Sequence, residues 1–289
     1  MRPRRARRPA EASQPTAHRV PGGRRGTLPG GRNTPASLSP TRVSDSNPVV
    51  LVLGATGGIG AAVARRLSAR GARLVLGARD ADRLAALAAE TGGLAVPLDA
   101  TRPDEVKAAA DRALAEYGRL DGAANLVGSI LLKPAHLTSP EEFEQTLQLN
   151  LYTAFNLVRA AAKAMYGTGG SIVLMSSAAA GVGLANHEAI AAAKAGVEGL
   201  ARSAAATYAP RGIRVNAVAP GLVRTPLAAR LLATPAAEEA SAKMHALGRV
   251  GEPDDLVGML ALLLDRAQAG WITGQTISVD GGFATVRPR

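Results

Sequence analysis

Nothing in this chain of 289 residues narrows its possible folds as much as the passage from Val49 to Gly60, Val-Val-Leu-Val-Leu-Gly-Ala-Thr-Gly-Gly-Ile-Gly. Five apolar residues without polar alternation predict a parallel strand buried on both faces. The spacing of Ile59, Val63 and Leu67 predicts a helix directly after the glycines. Strand, glycine turn and helix in that order make a phosphate cradle. Residues without a Cβ let the backbone approach a pyrophosphate, and the first N–H groups of the helix point at its charge. Gly54, Thr56, Gly58, Ile59 and Gly60 are the candidates for that contact. An ordinary tight strand-to-helix loop is the alternative.

The rest of the chain supplies a sheet for this unit. Strands are predicted at 73–77, 94–98, 123–128, 171–175, 213–218 and 276–279, alternating with helices at 81–89, 103–116, 140–165, 187–208 and 254–264. Thr101 is the expected N-cap of the helix from Pro103, with Asp104 and Glu105 in its first turn. Residues 222–247 form a mixed helical insert. The alternation predicts an α/β fold: a single doubly wound parallel sheet of about seven strands with helices on both faces, occupying 48–289.

Composition sharpens the boundary. The net charge of +11 is uneven: residues 1–47 hold ten arginines and two acids, a net of +8, which leaves +3 for the remainder. This first segment is rich in Arg, Pro and Gly and nearly free of apolar residues, so it is expected to be a disordered extension. An Arg-rich targeting peptide and a loose nucleic-acid arm are the other readings; its Pro and Gly disfavour the amphipathic helix that the first requires. There is no cysteine, hence no disulfide or thiolate metal site. Histidines at 18, 136, 187 and 245 lack metal-ligand spacing. With no apolar run near the ~20 residues of a membrane helix and no secretory signal, a cytoplasmic protein with no membrane or specific nucleic-acid partner is expected.

Gly54, Gly58 and Gly60 have the spacing G-x-x-x-G-x-G, and the chain continues with Asp99, Asn125-Leu126-Val127-Gly128, Asn150, Ser177, Lys194, Pro220-Gly221 with Thr225, Gly274 and Val279-Asp280-Gly281-Gly282. In this order and spacing they resemble the short-chain dehydrogenase/reductase family over essentially all of 48–289. The resemblance implies a Rossmann-type domain and a nicotinamide cofactor across the carboxyl ends of the strands. It also implies cofactor contacts from Gly54, Thr56, Gly58, Ile59, Gly60, Asp99, Asn125, Gly128, Lys194, Pro220, Gly221 and Thr225.

Charge distinguishes NADP(H) from NAD(H). An acid at the end of the second strand would accept hydrogen bonds from the ribose 2′-hydroxyl. Ala78 and Arg79 stand there instead, and a guanidinium suits a 2′-phosphate. NADP(H) is the expected cofactor, with NAD(H) possible because Asp80 follows. Arg79 is otherwise a solvated surface residue.

One departure governs the chemistry. The family's catalytic Tyr stands four residues before the Lys and thirteen after the Ser; counting from Lys194 and Ser177 places Ile190 there. Isoleucine has no proton to give. Asn150, Ser177 and Lys194 carry over as catalytic residues, and His187 is the candidate proton donor. His187, Ile190 and Lys194 are spaced to share one helix face, and imidazole titrates near neutrality. The spacing of His187 to Lys194 also resembles the Tyr-to-Lys spacing of the enoyl reductase branch. Alternatively His187 only bonds backbone at a helix start. Tyr152 is a further donor candidate, and a water relayed through Lys194 and Asn150 is another.

These residues describe an oxidoreductase passing hydride to a carbonyl-type carbon (a ketone or 3-oxoacyl group) or a conjugated C=C or C=N bond. The rival is a cofactor-binding pseudo-enzyme acting as sensor or assembly subunit. Residues 129–136 and 222–247 are expected to wall the substrate site. Leu222, Leu227, Leu231, Leu232 and Met244 would make it apolar, although each could equally be core. The resemblance implies a homodimer or homotetramer through the helices at 140–165 and 187–208.

Overall fold

The computed structural model describes residues 47–286; all of the expected N-terminal extension except Asn47 lies outside the described residues. Seven strands form one sheet: β1 (Val49–Leu53), β2 (Arg73–Ala78), β3 (Leu94–Pro97), β4 (Gly122–Asn125), β5 (Gly170–Met175), β6 (Ile213–Pro220) and β7 (Thr276–Val279). Their order is β3-β2-β1-β4-β5-β6-β7, and every pairing is parallel. The chain winds outward from β1 to β3 and then restarts on the other side of β1 at β4. That reversal leaves a crevice at the carboxyl ends of β1 and β4, the usual ligand position in such sheets.

The period of two along a strand divides β1 between two cores. Val49, Leu51 and Leu53 pack under α3 (Pro103–Tyr117), α5 (Thr153–Ala164) and α6 (Glu188–Tyr208). Val50 and Val52 pack under α1 (Gly58–Ala69), α2 (Ala81–Thr91) and α8 (Pro253–Leu264). Both faces are covered, which explains why β1 has no polar alternation. Leu51 is fully buried, so truncating it to Ala is expected to cost roughly 2–5 kcal/mol.

Several boundaries differ from expectation for local reasons. Arg102, not Thr101, is the N-cap residue of α3, and its side chain makes no cap bond. The Thr101 hydroxyl donates instead to Asp99 Oδ1 at 2.8 Å. The helical stretch expected over 140–165 is divided into α4 (Pro140–Leu147), a π-helical turn Gln148–Tyr152, and α5. Ser139 and Glu142 close a reciprocal capping box at the start of α4. The strand expected at 123–128 ends at Asn125. The insert contains a 3₁₀ turn Pro226–Leu232 and α7 (Pro235–Lys243), which buries no residue. No helix among the described residues is long and apolar enough to cross a membrane.

Candidate active site

The loop after β1 is built around two glycines. Gly54 adopts φ +76°, a left-handed conformation, and a Cβ there would lie 2.8 Å from the Leu126 carbonyl carbon. A Cβ on Gly60 would lie 2.2 Å from Gly54 O, so only glycine lets α1 start this close to the turn. The N-cap residue of α1 is Gly57, which has no side chain to cap the helix. The first N–H groups, at Gly58, Ile59 and Gly60, therefore remain free of side-chain capping and are open to an anion. Thr56 is half-buried in this loop. Thr225 stands opposite: a Cβ on Gly58 would approach its methyl group to 2.9 Å.

The adenosine-side candidates lie at the next two strand ends. Arg79 is exposed directly after β2. Asp99 follows β3, and its carboxyl is held below the usual range chiefly by the Thr101 N–H, with smaller help from the Thr101 hydroxyl and the charges of Arg79 and Arg102. Asn125 ends β4, buried, with Nδ2 donating to Thr153 Oγ1 at 3.1 Å.

The structure brings Gly128, Asn150 and Lys194 together. A Cβ on Gly128 would sit 3.0 Å from Asn150 Oδ1 and 3.5 Å from Lys194 Nζ, so the glycine keeps the space between amide and amine open. Asn150 lies within the π-helical turn, whose extra residue frees a carbonyl from the helical ladder. Its Nδ2 donates to Thr146 O and to Ser129 Oγ, both at 2.9 Å. Lys194 Nζ donates to Met175 O at 2.9 Å, and burial pushes its ammonium down to about 8. Ser177, two residues beyond β5, is half-buried, and its Oγ accepts from the Ala179 N–H at 3.2 Å. That bond leaves the hydroxyl proton available to an outside acceptor.

Ile190 is buried at 5 % exposure. His187 lies just outside α6 as its N-cap residue, with φ −110° and ψ 11°, so it does not continue the helical face of Ile190 and Lys194 as the spacing predicts. Its Nδ1 is 2.7 Å from Ala185 O. A carbonyl only accepts, which puts the proton on Nδ1 and leaves Nε2 free. The preceding Asn186 has φ 64°, the one non-glycine with positive φ among the described residues, and its carbonyl accepts the Lys133 N–H at 2.7 Å. The 129–138 segment is thereby joined to the turn that carries His187. Ser177, His187 and Lys194 each bond a different backbone group, and none bonds another. Tyr152 is 39 % exposed, on the opposite side of its turn from the buried Asn150.

β6 ends at Pro220, and Gly221 leads to Thr225, which caps the 3₁₀ turn by accepting from the Ala228 N–H at 3.3 Å. Sequence reasoning missed what holds this loop. His245 is 3 % exposed; its Nε2 accepts from the Leu222 N–H at 3.1 Å and its Nδ1–H donates to Ser241 O at 2.8 Å. The ring lies 5.1 Å from that of Phe283, and the Leu247 N–H donates to Gly281 O at 3.0 Å. Behind the loop, Arg224 forks onto Glu238 of α7 and bonds Glu252, beside a charged cavity of about 370 Å³. Of the insert leucines and methionine, Leu227 and Met244 are 54 % and 50 % exposed, so those two are not core.

Comparison with known proteins shows what the whole domain is similar to. A family model described as enoyl-(acyl carrier protein) reductase matches residues 54–284. The chain is 41 % identical over 244 residues to a cis-4-hydroxycyclohexanecarboxylate dehydrogenase from Sinomonas cyclohexanicum, covering 82 % of this chain and 97 % of that one. It is 37 % identical to a D-threitol dehydrogenase from Mycolicibacterium smegmatis, covering 81 % and 92 %. A solved short-chain type dehydrogenase/reductase from Mycobacterium ulcerans superimposes with a TM-score of 0.80 at 33 % identity, covering 84 % and 92 %.

Proposed function

The chain belongs to the short-chain dehydrogenase/reductase family, and from that premise we propose that it is an NADP(H)-dependent enzyme interconverting a carbonyl compound and its alcohol on an apolar substrate. That it is an NAD(P)(H)-dependent oxidoreductase follows from its dehydrogenase relatives. The observation that carries the finer reading is the grouping of Gly128, Asn150 and Lys194, with Ser177 and the Gly54–Gly60 loop following the carboxyl ends of the interior strands β5 and β1. The glycine loop fits a pyrophosphate, because Gly54 and Gly60 leave no room for a Cβ and the first turn of α1 has free donors. Lys194 would hold the nicotinamide ribose.

The bound nicotinamide supplies or takes the hydride. Ser177, whose hydroxyl proton is free, would donate to the substrate oxygen and stabilise charge there. In this reading Ile190 stands where the family pattern would place a tyrosine, and His187 moves the proton instead. With Nδ1–H bound to Ala185 O, the neutral ring presents a lone pair at Nε2 that takes the proton of an alcohol; protonated at Nε2, the ring returns it to the carbonyl oxygen. A water relayed past Lys194 and Asn150 is the other source. Reduction of a conjugated C=C or C=N bond fits the same frame.

NADP(H) over NAD(H) is supported by Arg79 at the end of β2 and by Asp80, whose carboxylate is turned back to cap α2. An apolar substrate is supported by exposed Leu227 and Met244 on the insert. A homodimer or homotetramer through α4, α5 and α6 is supported by Phe143, Tyr152 and Phe155, all exposed along the first two helices and the turn between them.

The test is turnover with NADPH and NADP⁺ across ketones, 3-oxoacyl thioesters, enones, cyclic imines and cyclic alcohols, with His187→Ala and Ile190→Tyr beside the parent. Parent activity that collapses in His187→Ala supports the histidine as proton carrier. Tight NADPH binding with no turnover, together with ketone reduction gained in Ile190→Tyr, would make the protein a cofactor-binding module.

A further inference from the structure

The segment after β3 is held from three directions. The Asp99 N–H donates to Glu105 Oε2 of α3 at 2.7 Å. Asp99 Oδ1 accepts from the Thr101 N–H at 2.9 Å and from the Thr101 hydroxyl at 2.8 Å. From α5, Asn156 Nδ2 donates to Ala100 O at 3.0 Å and to Thr101 O at 3.3 Å. Asn156 is 8 % exposed, so its amide reaches these carbonyls from the interior. Asp99 Oδ2 accepts no hydrogen bond among the described residues, and its side chain is half-buried. Ala100 O and the Thr101 N–H belong to one peptide group, which is planar, so their directions are tied. Asn156 grips the carbonyl end of that plane, and Asp99 Oδ1 rests on its amide end. A donor at the carbonyl also polarises the peptide and strengthens its N–H as a donor.

We propose that Asn156 is a positioning residue for the cofactor: acting through the Ala100–Thr101 peptide, it aims the open oxygen of Asp99 at the adenosine end of the dinucleotide. This rests on the reading of Asp99 as a cofactor contact. An acceptor of fixed direction suits a donor of fixed direction, such as the exocyclic amino group of adenine. With the peptide free to rotate, the carboxylate loses that direction, and part of the binding free energy goes into ordering it. The same bond keeps the carboxylate an acceptor, because the Thr101 N–H is the largest cause holding the Asp99 carboxyl below its usual range. Asn156 does this from behind the segment, without touching the ligand.

Equilibrium binding to the full chain tests this without any substrate. ADP-ribose, NADPH and reduced nicotinamide mononucleotide are titrated by calorimetry and nicotinamide fluorescence. The chains compared are the parent, Asn156→Leu, Asn156→Ala, Asp99→Asn and the double variant joining Asp99→Asn to Asn156→Leu. Thermal melts identify the folded variants, and Asn156→Ala replaces Asn156→Leu in the pair if the larger side chain does not fold. Both Asn156 variants are expected to weaken ADP-ribose and NADPH by about fivefold or more while leaving the mononucleotide within about twofold. Because Asn156 acts through Asp99, the double variant should bind ADP-ribose within about twofold of Asp99→Asn alone. Unchanged ADP-ribose binding in a folded Asn156 variant overturns the inference. Equal weakening of the mononucleotide makes Asn156 a general brace and overturns it as well, as do losses that multiply in the double variant. If Asp99→Asn alone leaves ADP-ribose binding intact, the reading of Asp99 fails, a result obtained independently of Asn156.

Discussion

Asn150 and Ser129 hold each other at two points: Asn150 Nδ2 donates to Ser129 Oγ at 2.9 Å, and the Ser129 N–H donates to Asn150 Oδ1 at 3.2 Å. This pair fastens the segment after β4 to the π-helical turn. With Asn150 only 1 % exposed, Asn150→Ala is expected to cost about 1–3 kcal/mol. Asn150→Asp should cost at least as much at neutral pH, because an ionised carboxylate cannot donate to Thr146 O. Urea denaturation of both variants checks the order.

Gly60→Ala forces a methyl group into Gly54 O. It is expected to weaken NADPH binding by more than about tenfold, since the loop must move away from its cradle shape. Gly258 lies on exposed helix surface, and a methyl group added there would have nothing within 4 Å. As the control, Gly258→Ala should stabilise by roughly 0.5–1 kcal/mol. Fluorescence titration and thermal melts separate the two outcomes.

Ser177→Ala removes the free hydroxyl proton while leaving Lys194 and the glycine loop intact. Turnover is expected to fall roughly 10²–10³-fold, as for loss of one oxyanion donor. NADPH affinity should stay unchanged. Steady-state kinetics with binding measured separately checks the split.

Lys194 makes stability depend on pH in a known direction. Burial lowers its folded value to about 8 from 10.5, so the native state binds fewer protons than the unfolded state between those values, and stability rises with pH across that window. Below about 8 the cost of holding a buried ammonium is fully present, on the order of 3 kcal/mol. In Lys194→Met that cost is absent. The variant is therefore expected to gain on the parent at pH 7 and to lose this advantage as the pH approaches 10.5, read by denaturation of the cofactor-free chains.

α7 buries no residue, and it is held at its C-terminal end by the His245 bond to Ser241 O and along its length by the exposed Arg224 fork on Glu238. Glu238→Gln is expected to raise hydrogen exchange of α7 amides while leaving β6 unchanged. High salt should do the same to the parent, since exposed pairs are screened.

Legibility in the sequence followed how strongly each residue type is constrained by its role. Gly54, Gly58 and Gly60 left a readable pattern because a turn this tight tolerates nothing larger, and β1 declared itself by its uninterrupted apolar run. Lys194 and Asn150 were singled out through the resemblance to the family's order of motifs. Ser129, Asn156, Glu238 and His245 were not, because each acts through a partner distant in sequence and its residue type is common elsewhere. The expected helical face linking His187 to Lys194 failed for a local reason: Asn186 takes a left-handed conformation, and the helix begins only after His187. Thr101 was misjudged because Asp99 competes for its hydroxyl.

The buried His245 has a consequence in time. Its imidazole grips the Leu222 N–H after Gly221 and the end of α7 at Ser241, and its ring leans on Phe283 beyond the last strand. Loosening of either the Leu222 or the Ser241 segment alone leaves a ring nitrogen without its partner. The loop after Gly221 and the end of α7 are therefore expected to open together, in the microsecond-to-millisecond range and not as a quick flicker of a single loop.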